Sequence, residues 1–162
     1  MQSFLALPAD EQREAYEAAV QALGLPASSI EKDLWVTWTL RELFALPGWG
    51  AQFTFKGGTS FSKCWKLIER FSEDVDVVID RAFLGFGGEA LSGKKHKKLR
   101  DVCRSKIRDS LAPALRDRLV ARLPKGARWS LELATVEEDP DEQTLKFEYP
   151  TVFLGPAATS RP

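Results

Sequence analysis

The chain has 162 residues, of which 44% are hydrophobic and 28% charged, with a formal net charge of zero. That is enough for one domain with its own core, in the ordinary globular range. No run of about 18 apolar residues is present to span a membrane, and the N-terminal MQSFLALPADEQ lacks a basic segment followed by a long apolar one. Two cysteines, Cys64 and Cys103, make neither a disulfide framework nor a zinc site, so a cytoplasmic protein with reduced thiols is expected.

Residues 10–23 predict an amphipathic helix. Tyr16, Ala19, Val20 and Leu23 share a face, Asp10 and Glu11 sit in the first turn, and Gly24 and Pro26 stop it. A second helix is predicted from Ser28, where Ser28 and Glu31 have capping-box spacing, to about Leu46 before Pro47-Gly48. Its apolar residues nearly encircle it, which predicts burial, with Trp35 and Trp38 in the core. A short strand, 53–55, leads into Lys56-Gly57-Gly58-Thr59-Ser60 and then a helix to about Arg70. A second strand covers 75–79, with Asp74 and Asp76 belonging to it. Residues 81–93, with Gly85, Gly87, Gly88 and Gly93, predict a mobile loop.

Segment 94–122 reads as helical, with a break at Pro113. It carries eleven Lys or Arg against three Asp, which leaves the rest of the chain at minus eight. Such a run is by itself a solvated helix face, and beside a phosphate site it offers a surface for an RNA backbone. His96, inside KKHKKLR, reads as solvated. Strands at 129–136 and 144–149 form a hairpin around the acidic turn 137–142. The order α-α-β-α-β-α-β-β predicts an α/β (α+β) fold, a mixed sheet packed with helices. Residues 1–154 are expected to be a single domain, with helices in 10–46 and a core in 53–154, and 155–162 an unstructured tail.

The chemistry concentrates in 53–80. Gly57 and Gly58 permit close backbone approach to phosphate, and a helix N-terminus behind them offers free N–H groups. Thr59 and Ser60 add hydroxyls, and Lys56 and Lys63 add charge. Asp74 and Asp76 lie two residues apart, on one face of a strand. Two adjacent carboxylates repel unless a cation sits between them, and Mg²⁺ prefers carboxylate and phosphate oxygens. Val75, Val77 and Ile79 then face the core. A glycine pair or a DxD alone is a weak signal, and the two together, one helix apart, describe a phosphate-plus-metal site. The P-loop, EF-hand and Rossmann patterns are absent.

These residues resemble the AbiEii/AbiGii toxin family, nucleotidyltransferases of the DNA polymerase β superfamily. The resemblance runs through IEKDLWVTWTLRELF (30–44), FKGGTSFSKCWKLIERFSEDVDVVID (55–80) and TLKFEYPTVF (144–153). It implies a nucleotidyltransferase-like fold and a toxin of bacterial toxin–antitoxin or phage-exclusion loci, with a cognate antitoxin. Asp74 and Asp76 would bind Mg²⁺ (or Mn²⁺), and Lys56, Gly57, Gly58, Thr59, Ser60 and Lys63 the NTP. Lys94, Lys95, Lys97, Lys98 and Arg104 would meet tRNA or another RNA.

Members are usually longer, and a third carboxylate follows the YP segment on a later strand. This chain ends at Pro162, which reads as an N-terminal portion, with Glu132 and Glu148 as ordinary strand surface residues. The expectation is nucleotide binding without efficient turnover, and the alternative to an enzyme is a non-catalytic nucleotide- or partner-binding module.

Overall fold

The computed structural model describes residues 1–56, 74–88 and 92–153. A short helix α1, Gln2–Leu5, precedes α2, Ala9–Leu23, and α3, Ala27–Phe44. Gly24 ends α2 in the left-handed region at φ 67°, its N–H donating to Val20 O. Only glycine takes that conformation without strain, so the helix stops where the sequence places its stop.

The start of α3 corrects the expected capping box. Pro26 is the cap residue and no side chain caps the helix. Glu31 is instead buried, and its two carboxylate oxygens accept from the Thr151 hydroxyl at 2.5 Å and the Val152 N–H at 2.7 Å. The carboxylate has turned from its own helix end to hold the chain leaving the last strand. Arg13 of α2 donates to Val152 O at 3.1 Å from the other side.

Strand β1, Phe53–Lys56, pairs antiparallel with β2, Asp76–Ile79. Helix α4, Gly93–Lys106, passes through a π-helical turn, Ile107–Leu111, into α5, Ala112–Arg122. The expected break at Pro113 is absent, since the helix runs on without interruption, and what the proline leaves is the π-helical turn. Pro113 has no N–H to offer one turn back, so the hydrogen-bond ladder is re-spaced just before it. Strands β3, Ser130–Leu133, and β4, Leu145–Glu148, form the expected antiparallel hairpin. β3 is shorter than predicted, because Thr135 N–H and hydroxyl both donate to Glu138 and pull the chain into the turn. Residues 81–85, expected to be mobile loop, form a turn that buries Leu84 and sets Phe83 against Trp49 at 5.1 Å.

The architecture is helices packed with small antiparallel sheets, the expected α/β class. One core joins them: Trp35, Trp38, Leu46, Trp49, Phe53, Ile107, Leu111, Leu115, Leu119 and Leu131 are buried together. Trp35 stacks on Tyr149 (5.4 Å, 19°) and Trp38 on Phe147 (6.4 Å, 27°), which seats β4 on α3. Phe44 meets Phe53 at 5.9 Å, which seats the start of β1 at the C-terminal end of α3. Glu42, 1% exposed, anchors α5 to α3 by accepting from Arg118 Nε at 2.7 Å. Among the described residues no helix is long and apolar enough to cross a membrane.

Candidate functional site

The register of the first hairpin sets the site. Phe53 lies opposite Ile79, Thr54 opposite Val78, Phe55 opposite Val77 and Lys56 opposite Asp76. Asp74 and Asp76 are exposed, while Val75, Val77 and Ile79 are half-buried. The alternation follows from the two-residue period of extended chain. The strand itself begins at Asp76, with Asp74 just ahead of it, because the ladder ends at the Lys56–Asp76 rung. Gly57, Gly58, Thr59, Ser60 and Lys63 lie outside the described residues, as do Cys64, Trp65 and Arg70.

Beside this hairpin is a cavity of about 970 Å³. Asp74 and Asp76 line it together with Lys146 and Glu148 of β4, Lys32 of α3 and Arg100 of α4. Its floor is apolar, from Trp35, Phe53, Ile107 and Leu131. The cavity thus puts carboxylates and cations around a hydrophobic base, the composition of a site for a charged organic ligand. Sequence reasoning did not find Lys32 or Arg100, because nothing along the chain ties α3 or α4 to the acidic strand.

Glu148 and Glu132 share a face of the second hairpin, diagonal to each other with Lys146 opposite Glu132, but only one of them lines the cavity. Glu148 lines the cavity and accepts from the Ser130 hydroxyl at 3.0 Å, whereas Glu132 is not among the lining residues. No group of three His, Cys, Asp or Glu among the described residues is arranged to hold a metal ion. Asp74 and Asp76 are therefore a pair of carboxylates, with Glu148 lining the same cavity. Cys103 also faces this space, and burial pushes its thiol pKa up, which keeps it protonated and unreactive at neutral pH.

The basic helix is less open than its sequence suggests. Lys94, Lys95, His96, Lys97 and Lys98 are exposed along α4. Arg104, however, pairs with Glu142 at 2.9 Å and donates to Asp141 O at 3.3 Å, and Arg100 pairs with Asp141 at 3.4 Å. The acidic turn of the second hairpin folds onto the basic helix. Its own shape is set by Asp139, which accepts from the N–H groups of Asp141 and Gln143, and by Glu142 at φ 51°. On the other flank Glu138 accepts from Lys146 at 2.7 Å.

Residues 38–161 match the family described as nucleotidyl transferase AbiEii toxin, type IV TA system. No curated protein and no solved structure matches the chain.

Proposed function

The chain belongs to the AbiEii nucleotidyltransferase toxin family of type IV toxin–antitoxin systems, and from that we propose a metal-dependent transfer of a nucleotide from an NTP to an acceptor hydroxyl of tRNA or another RNA. The supporting observation is the shared exposure of Asp74 and Asp76 on the wall of the cavity, with Lys56 directly opposite Asp76. The phosphate-binding role proposed for Lys56, Gly57, Gly58, Thr59, Ser60 and Lys63 rests on their sequence pattern of glycines, hydroxyls and lysines.

The carboxylates present suit a hard divalent cation. Mg²⁺ is commonly held by one or two carboxylates, with substrate phosphates and water completing its shell, and an exposed pair meets that need. When bound, such an ion would polarise the phosphoryl oxygens, offset their negative charge and make the reacting phosphorus more electrophilic. Asp74 and Asp76 would hold it in place against the triphosphate. The acceptor oxygen forms a bond to the α-phosphorus as the bond from that phosphorus to the bridging oxygen breaks. Pyrophosphate leaves with the electron pair, and the hydroxyl proton passes to water at the exposed carboxylates. Lys94, Lys95, Lys97, Lys98 and Arg104 of α4 would take the phosphates of the RNA acceptor. A cognate antitoxin completes the system.

A second reading, binding without turnover, is favoured by one observation. The described residues bring two carboxylates together and no third. One experiment separates the two. The chain is incubated with labelled NTPs, Mg²⁺ and total tRNA, beside Asp74→Asn with Asp76→Asn. Labelled RNA from the parent alone supports transfer. NTP binding without label supports the second reading. Equal labelling by both proteins would remove the aspartates from the reaction.

A further inference from the structure

The cavity wall facing the acidic strand is one stripe of α3. Lys32, Trp35, Val36, Thr39 and Leu43 line it, at offsets of 3, 4, 7 and 11 residues, which is one side of a helix. The stripe begins with an ammonium at its N-terminal end and continues through Trp35, Val36 and Thr39 to Leu43.

Ring contacts fix which way it runs. The Phe44–Phe53 contact places the C-terminal end of α3 at the start of β1. That is the end of the hairpin away from Lys56 and Asp76. The Trp35–Tyr149 stack places the far end of β4, next to Glu148, at the N-terminal half of α3. From Ile79, β2 reaches Asp76 about 10 Å away at about 3.3 Å per residue. From Phe44, α3 reaches Lys32 about 18 Å away at about 1.5 Å per residue. Lys32 thus lies toward the end of α3 away from the Phe44–Phe53 contact, Asp74 and Asp76 lie at the end of the hairpin away from it, and all three line the one cavity.

We infer that Lys32 is a further substrate-binding residue of this site, its ammonium meeting the β- or γ-phosphate oxygens of the NTP from the side opposite β2. The inference rests on the reading of Asp74 and Asp76 as the phosphate-and-metal site. Lys32 is half-buried, as suits a lysine whose stem lies along an apolar wall. A cation there offsets the negative charge that builds on pyrophosphate as its bond to the α-phosphorus breaks. Lys32 already has an interaction partner, and the triphosphate competes with it, which limits the gain in affinity.

The test is calorimetric titration with ATP, AMP and inorganic tripolyphosphate in Mg²⁺. Lys32→Gln should weaken ATP and tripolyphosphate by about tenfold, the scale of a lost hydrogen bond to a charged group, and leave AMP within about twofold. Lys32→Arg, which keeps the charge, should hold ATP within about threefold. Lys32→Met, which keeps the apolar stem, replaces Lys32→Gln if circular dichroism finds the latter unfolded. An equal loss for ATP and AMP would make Lys32 a structural residue, and unchanged tripolyphosphate binding would also overturn the inference. The underlying reading fails separately, if Asp74→Asn with Asp76→Asn keeps Mg²⁺-dependent ATP binding. A parent chain that binds neither ATP nor tripolyphosphate ends both.

Discussion

Lys56 stands directly across the β1–β2 ladder from Asp76, on the last rung of the hairpin. Residues so paired have Cβ atoms about 5 Å apart on one side of the sheet, and both side chains are exposed. A cation thus stands beside a carboxylate proposed to hold metal, where it would compete with the metal and attract the triphosphate. Lys56→Met is expected to raise affinity for Mn²⁺ alone about two- to threefold and to weaken ATP binding in the presence of metal. Calorimetry on both ligands checks this. Weaker Mn²⁺ binding in the variant would mean that Lys56 orders the carboxylates and does not compete for them.

The acidic turn occupies part of the basic face. The Arg100–Asp141 pair is exposed and the Arg104–Glu142 pair partly so, and pairs open to solvent contribute about 0–1 kcal/mol each. Asp141→Asn with Glu142→Gln should therefore raise tRNA affinity about three- to tenfold at low salt, with little change in melting temperature. Filter binding across a salt series measures it. If affinity stays constant, the exposed lysines of α4 carry the interaction and the turn is no competitor.

Glu42 is the most consequential buried charge. It is 1% exposed and lies 2.7 Å from Arg118 and 3.4 Å from Arg122, both of which reach solvent. Removing both arginines strands a buried carboxylate and should cost about 3–5 kcal/mol. Glu42→Met leaves two cations that can hydrate, and should cost less, about 1–2 kcal/mol. Urea titration of the two variants orders them. The reverse order would mean that α3–α5 packing depends on the glutamate for more than charge.

Tyr16 buries a hydroxyl that has no hydrogen-bond partner among the described residues. Burial, with Glu31 adding to it, pushes the phenol pKa above its ordinary range. The ring meets Phe4 edge-on at 5.3 Å and Phe153 at 5.7 Å, contacts that phenylalanine keeps. Tyr16→Phe should leave stability unchanged or raise it by about 1 kcal/mol, since it removes an unmet polar group. A loss above that size in thermal melting would reveal a partner for the hydroxyl.

Glu138 supplies an acid-sensitive contact. Its hydrogen bond from Lys146, and then that from the Thr135 N–H, lower its pKa from 4.5 to about 2. A carboxyl depressed in the folded state stabilises above its unfolded pKa and loses that contribution as pH falls through the folded value. The contribution should fade between about pH 4.5 and about pH 2. Glu138→Gln is expected to flatten the pH dependence of melting in that window and nowhere above it. A parallel curve for the variant would assign the acid sensitivity elsewhere.

The sequence by itself determined the local elements and the order in which they come. Gly24 ends α2 because only glycine sits easily at its φ of 67°. Pro113 lacks an N–H, and the basic helix meets it by widening into a π turn rather than breaking there. The alternation in DVDVVI predicts exposed Asp74 and Asp76 over half-buried valines, and that is their burial. Each is a matter of a few neighbouring bonds, so it is legible over a short window. What the tertiary structure alone decided is where long-range charges go. Glu31 has the spacing of a cap, yet it takes Thr151 and Val152, because a buried carboxylate must find donors and the chain after β4 brings two. Glu132 and Glu148 look alike in sequence, yet only Glu148 is among the residues lining the cavity. Lys32 comes to line the same cavity as the acidic strand, and Glu142 covers Arg104, through packing of α3, α4 and the second hairpin. Such pairings depend on helix orientation and strand register, which the shared core fixes and which no short stretch of sequence encodes.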